Sequence, residues 1–212
     1  LLPRDLTGSP DAARALDTAA SQPEKLMMGK MGLVGLLLFA ISVNVGFSFT
    51  ERIGLDNGLE PSAIASSFAI ACIFSLAGCA LPAVFGASGG RIKWLSATTI
   101  FLIIALWLFY IATTVALYVT AFAIYISVFC LGLTYYMSVV AENDPDERFT
   151  RAIYIVNVVA QSIGPAIGSL VLIGYPLSVV FLIAPIPAIA ALILVSYYSL
   201  HQRRSLPMSA AG

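Results

Sequence analysis

Asn44, Ser48 and Glu51 stand four and three residues apart, the spacing that puts side chains on one face of a helix. Tyr154, Asn157, Gln161, Gly164 and Gly168 repeat that periodicity later in the chain. Tyr118, Phe122, Tyr125, Phe129 and Tyr136 form an aromatic stripe with Gly132 inside it. Amides and hydroxyls hydrogen-bond, and ring faces stack. Together they suit a neutral or amphipathic solute better than a strongly charged one. They do not make an acid–base or nucleophilic centre. The single histidine, His201, stands in the tail, and no Ser–His pair, paired membrane aspartate or metal-spaced cluster accompanies it. An intramembrane enzyme is therefore a poor reading, and no catalytic residue, metal or cofactor is expected. Cys72, Cys79 and Cys130 lie in apolar runs and read as small hydrophobes rather than a disulfide framework.

The segments that carry these residues are almost pure hydrocarbon. Residues 31–49, 61–85, 94–140 and 152–200 contain no Asp, Glu, Lys or Arg. A bilayer core of about 30 Å needs roughly 20 apolar residues of helix. The first two tracts fit one crossing each; the last two are long enough for two crossings and a turn apiece. Six transmembrane helices follow. Composition agrees: 59% of residues are hydrophobic and 10% charged, with a mean hydropathy of +0.94, whereas soluble domains carry about 25% charged residues. The runs lack the alternation of barrel strands, so the expected class is an all-α polytopic membrane protein.

The crossings are expected near 28–49, 61–85, 94–112, 115–140, 151–173 and 177–200. Residues 51–60 read as a loop on turn chemistry from Gly54, Asn57 and Gly58. Thr113-Thr114 and Gly174-Tyr175-Pro176 read as outer turns, and Pro185 and Pro187 as a kink in the sixth crossing. Ser9-Pro10-Asp11 signals a short surface helix over 12–20 that Gln22-Pro23 would end. The division is thus a cytoplasmic linker at 1–25, a six-helix membrane domain at 26–200 and a cytoplasmic tail at 201–212. A start at Leu1 rather than Met suggests a piece of something longer.

Zero net charge hides an asymmetry. With six crossings, Arg4, Arg14, Lys25, Lys30, Arg91, Lys93, Arg148, Arg151, Arg203 and Arg204 fall on one side, and Arg52 alone on the other. Cationic residues concentrate on the cytoplasmic side of multi-pass proteins, so both termini are expected there, in a cell (inner) membrane. No basic face supports nucleic-acid binding.

Polar groups at membrane depth usually face a bundle interior or a watery cavity. Asn44, Ser48, Tyr125, Tyr136, Tyr154, Asn157 and Gln161 are therefore candidates for a substrate cavity lined by the first, fourth and fifth crossings, with the third and sixth against lipid. Asn157 and Gln161 would equally serve as hydrogen-bonding glue to a neighbouring helix, and the aromatic stripe as packing. Glu51 and Arg52 lie near the outer interface, as an ion pair, a cap or a coupling group. Gly164-Pro165 predicts a break in the fifth crossing. Gly164 and Gly168 make a small-residue surface for close helix approach, and Ala71, Ser75, Gly78 and Pro82 offer a similar strip in the second. The six crossings divide into two sets of three with similar polarity, as inverted-repeat transporters do.

Three stretches carry a likeness to a known family. Phe47-Ser48-Phe49-Thr50-Glu51-Arg52-Ile53-Gly54, followed by Asn57-Gly58-Leu59, is similar to an aromatic-x-x-Glu-Arg-Ile-Gly…Gly-Leu pattern of some bacterial members. The turn at 86–93 resembles a worn copy of the basic turn between second and third helices of each half: Gly90 and Arg91 match its closing Gly-Arg, while Ala87 and Ser88 replace its Asp-Arg. The run 161–168 resembles a Gly-Pro-rich eleventh helix. The chain as a whole resembles the C-terminal half of a major facilitator superfamily transporter. That resemblance implies helices seven to twelve of twelve, paired with a six-helix N-terminal half. It implies alternating access for a small-molecule substrate, with Gly90, Arg91, Gly164, Pro165 and Gly168 at gates or hinges. The alternative is a non-transporting six-span scaffold or receptor-type subunit.

Overall fold

The structure, a computed structural model, describes residues 10–86 and 90–205. Among these the secondary structure is helical throughout: α1 (Pro10–Phe47), α2 (Thr50–Asp56), α3 (Pro61–Phe85), α4 (Arg91–Ile111), α5 (Val115–Glu142), α6 (Arg148–Leu172), α7 (Leu177–Ile183) and α8 (Pro185–Ser205). Six stretches are long and apolar enough to cross a membrane: Lys25–Asp56, Pro61–Phe85, Arg91–Ile111, Val115–Glu142, Arg148–Leu172 and Leu177–His201. Helices satisfy their own backbone groups, which is what an apolar solvent demands. Arg4, Ser9, Ala87, Ser88 and the segment 206–212 lie outside the described residues.

Boundaries differ from expectation in three places. The first helix does not stop at Gln22-Pro23; α1 runs unbroken from Pro10 to Phe47. Proline already holds a helical φ and forfeits a single donor, so one proline does not oblige a stop. Residues 51–60 are not a loop throughout. After a turn at Ser48-Phe49 the chain re-enters helix as α2, with Glu51 in its first turn, where a carboxylate meets the positive end of the helix dipole. Nor does Gly164-Pro165 break α6, which is continuous from Arg148 to Leu172 with Pro165 inside it.

The sixth crossing does divide. Its backbone turns at Ala184, just before Pro185, separating α7 from α8. The Ala184 carbonyl at this bend accepts a 2.5 Å hydrogen bond from Ser42 Oγ, a fully buried hydroxyl on α1.

Consecutive crossings run in alternating directions. At one end Asn57 Nδ2 donates to the Phe109 carbonyl (3.1 Å) and Tyr118 Oη to the Thr50 carbonyl (2.9 Å). At the other, the Arg91 guanidinium pairs with the Glu142 carboxylate, joining the start of α4 to the end of α5. Helix α1 is central and packs on α5, α6 and α8; α5 packs on α1, α3 and α4; α4 also meets α8. Rings fill the middle. Phe39, Phe109, Tyr118, Tyr125 and Tyr136 are all fully buried, with Phe109 lying 5.2–5.7 Å from the rings of Tyr118, Phe122 and Tyr125. The third and sixth crossings, expected simply against lipid, share this core: Leu102 and Ala105 of α4 and Ala188 and Ala191 of α8 are fully enclosed, while Phe101, Trp107 and Ile193 on the same helices are exposed. The least buried crossings are α3 and α6.

Candidate solute-facing cavity

The polar residues singled out by spacing separate into three groups. Ser48 and Glu51 come together at a cavity of about 430 Å³ between the α1–α2 turn, α3 and α5. Ser48 Oγ donates to the Asn44 carbonyl at 2.8 Å, which holds the hydroxyl against its own helix. Thr50 Oγ1 donates to the Phe47 carbonyl at 2.8 Å and closes the turn. Opposite stand Phe68 and Phe122, their centroids 5.5 Å apart and nearly perpendicular, with Phe47 at 6.2–6.3 Å from each. One carboxylate and two hydroxyls thus face an aromatic wall. Such a site can hydrogen-bond one end of an amphipathic solute and stack against the other. Arg52 is exposed, and no ion pair joins it to Glu51 among the described residues.

A second group follows the groove between α1 and α6. Asn44 is half-buried and Nδ2 donates to the Ala40 carbonyl at 2.8 Å. Gly164 stacks directly on it: a Cβ added there would lie 2.6 Å from Asn44 Cβ and 2.9 Å from the Val45 nitrogen. One turn on, a Cβ at Gly168 would run into the Phe49 ring. The small-residue surface is therefore a contact between α6 and α1. The Asn157 Oδ1 atom is buried with no hydrogen-bond partner among the described residues. Gln161 is exposed, and Tyr154, at 76% exposure, points clear of the bundle.

The third group corrects an expectation. Tyr125 and Tyr136 do not line a cavity; both are wholly enclosed. Tyr125 Oη donates to the Val43 carbonyl and its ring packs on Phe109. Tyr136 stacks near Phe39 at 5.2 Å, and its hydroxyl finds no partner among the described residues. The helical stripe was read correctly, but periodicity says which residues share a face and nothing about what that face meets.

At the opposite end, Gly90 begins α4 with φ of 93°, a left-handed value that glycine adopts without strain. Arg91 finds Glu142, fifty-one positions on, rather than a partner within its own turn. Sequence spacing could not have paired them, although both belong to short charged breaks between crossings. In the next loop Asp144, 5% exposed, accepts from the backbone nitrogens of Thr150 (2.7 Å) and Arg148 (3.1 Å). Burial alone would raise its pKa. The hydrogen bonds from Thr150, Phe149 and Arg148 outweigh that and hold it below the ordinary value. Asp144 thereby fastens the start of α6, a role that the charge cluster hid.

No group of His, Cys, Asp and Glu side chains suited to a metal occurs among the described residues. Compared with protein-family models, curated proteins and solved structures, the chain matches none.

Proposed function

We propose that this chain is a six-helix unit of a secondary active transporter, built as two three-helix repeats and moving a small solute by alternating access. In this reading it supplies the C-terminal half of a protein of the major facilitator type, resides in the inner membrane with both termini cytoplasmic, and works with a second six-helix half.

One observation carries the reading: the helix contacts are repeated. The first crossing of each triplet packs on the second crossing of the other, α1 on α6 and α5 on α3. The first crossing of each also packs on the third of the other, α1 on α8 and α5 on α4. Exchanging the triplets leaves the scheme unchanged, which is what two related repeats produce. Two further features favour it. Rings fill the middle of the unit among the described residues, which favours a permeation path between this unit and another. The Ser48–Glu51 cavity and the exposed Gln161 and Tyr154 lie on surfaces open to such a partner. The basic residues Lys30, Arg91, Lys93, Arg148 and Arg151 share one end of the bundle, in keeping with cytoplasmic termini.

The test is flux. The full chain, co-expressed with a six-span partner half and reconstituted in vesicles, is expected to move solute across a panel of neutral and amphipathic compounds. Asn157→Ala and Glu51→Gln should lower that flux while leaving membrane insertion intact. Insertion without flux for every compound would favour a non-transporting scaffold.

A further inference from the structure

A second cavity, of about 460 Å³, opens at the end of the bundle away from Glu51, between α1, α4, α5 and α8. Its rim carries Arg91, Lys93, Asn143 and Ser199; its floor is made by apolar side chains, Leu95 and Val195 among them. The two cations are not equivalent. Arg91 is occupied by Glu142, whereas Lys93 is exposed and makes no ion pair among the described residues. One uncompensated positive charge thus sits above a hydrocarbon floor. The same two helices, α4 and α8, carry exposed apolar side chains further along, Ile104 and Ile193 among them.

We infer that this cavity holds the phosphate headgroup of an anionic phospholipid, with Lys93 at the phosphate and the upper acyl chain over Leu95 and Val195. The inference rests on the membrane reading of the six crossings. A free phosphate would gain nothing from the apolar floor, and a zwitterionic lipid would bring a second cation towards Lys93. An anionic lipid matches both parts. Basic pockets between helices at the membrane surface bind such headgroups, and each nearby Lys or Arg adds about 1 kcal/mol to the attraction.

The chain in mild detergent, offered equal amounts of phosphatidylglycerol and phosphatidylcholine, should retain the former preferentially in native mass spectrometry. Lys93→Gln should cut that preference about fivefold, and Arg151→Gln, on α6, which contributes no residue to the cavity lining, should leave it unchanged. Ser199→Trp, which fills the mouth and leaves both cations in place, should abolish it. Equal retention of both lipids by the unsubstituted chain, unchanged preference in Lys93→Gln and Ser199→Trp, or displacement of the lipid by excess inorganic phosphate would each overturn the proposal. Carbonate extraction of the same membranes separates the two levels. A chain that resists extraction but shows no lipid preference sinks only the lipid site; a chain that is extracted sinks the membrane reading with it.

Discussion

The α1–α6 and α3–α5 crossings use the same device and differ in what surrounds it. Each brings a glycine against the backbone of its partner, Gly164 against Asn44 and Val45, Gly78 against Ser127. Small residues at such crossings let helices approach closely and gain dispersion contacts, which drive helix association where lipid is as apolar as the side chains. The α3–α5 contact is then stitched. Ser127 Oγ donates to the Phe74 carbonyl at 2.9 Å, and Tyr135 Oη to the Gly86 carbonyl at 2.8 Å, satisfying an acceptor just past the end of α3. No side-chain hydrogen bond joins α1 to α6 among the described residues, and Asn157 Oδ1 on α6 is buried and unpaired among them. A crossing held by shape alone loses little when it slides, because no directed bond must break. The pair carrying the amides is thus the better candidate for movement, and the pair carrying the hydroxyl bonds for a fixed frame.

Glycine replacements should break both crossings, unequally. Gly78→Ala would place its Cβ 2.7 Å from the Ser127 Cα, with nothing but backbone at hand to yield. About 3 kcal/mol of destabilisation is expected, the upper end for overpacking, read from unfolding in mixed detergent micelles. Gly164→Ala meets one side-chain atom and two backbone atoms and should cost about 2 kcal/mol. Gly168→Ala meets only the Phe49 ring, which can rotate away, and about 1 kcal/mol or less is expected. The reverse order would mean that α1–α6, not α3–α5, is the rigid frame.

The polar substitutions sharpen the contrast. Ser127→Ala removes a bond across the fixed pair and should destabilise by about 0.6 kcal/mol, the average for such bonds in membranes. Asn157→Leu removes a buried, unpaired acceptor and is expected to raise stability by about 1 kcal/mol, while lowering flux if the groove serves the proposed transport. A loss of stability in Asn157→Leu would reveal a partner for the amide and erase the asymmetry.

The smallest expected effect is acid-dependent and sits where α6 starts. Asp144 has a folded pKa below its unfolded one, so the unfolded state binds more protons there. Stability therefore rises with pH through that window, and the contribution is lost as pH falls below about 4. Melting in detergent at pH 3 and pH 6 should show a larger acid-induced drop for the unsubstituted chain than for Asp144→Asn. Equal drops would mean that the carboxylate does not fasten the α6 end of the mobile pair.

The six crossings were legible because charge is too costly at membrane depth to be scattered by chance, so its absence from 31–49 or 61–85 is informative alone. The contact role of Gly164 and Gly168 was legible from their spacing, although Asn44 and Phe49 as partners were not. α2 escaped notice because a seven-residue helix that holds Gly54 and is followed by Asn57-Gly58 has the composition of a loop. Tyr125 and Tyr136 were misplaced for a different reason. A tyrosine can bury its ring and spend its hydroxyl on a carbonyl, as Tyr125 does with Val43, and an aromatic stripe looks alike whether it faces solute or core. The Arg91–Glu142 pair joins the start of α4 to the end of α5, two helix ends that only the three-dimensional fold brings together.

The bend at Ala184 behaves less as a joint than as a set elbow. Its carbonyl is held by the buried Ser42 in the last third of α1, so swinging α7 against α8 would strand an acceptor in a place that water does not reach. Whatever motion the unit performs, the sixth crossing and the first should travel together as one lever.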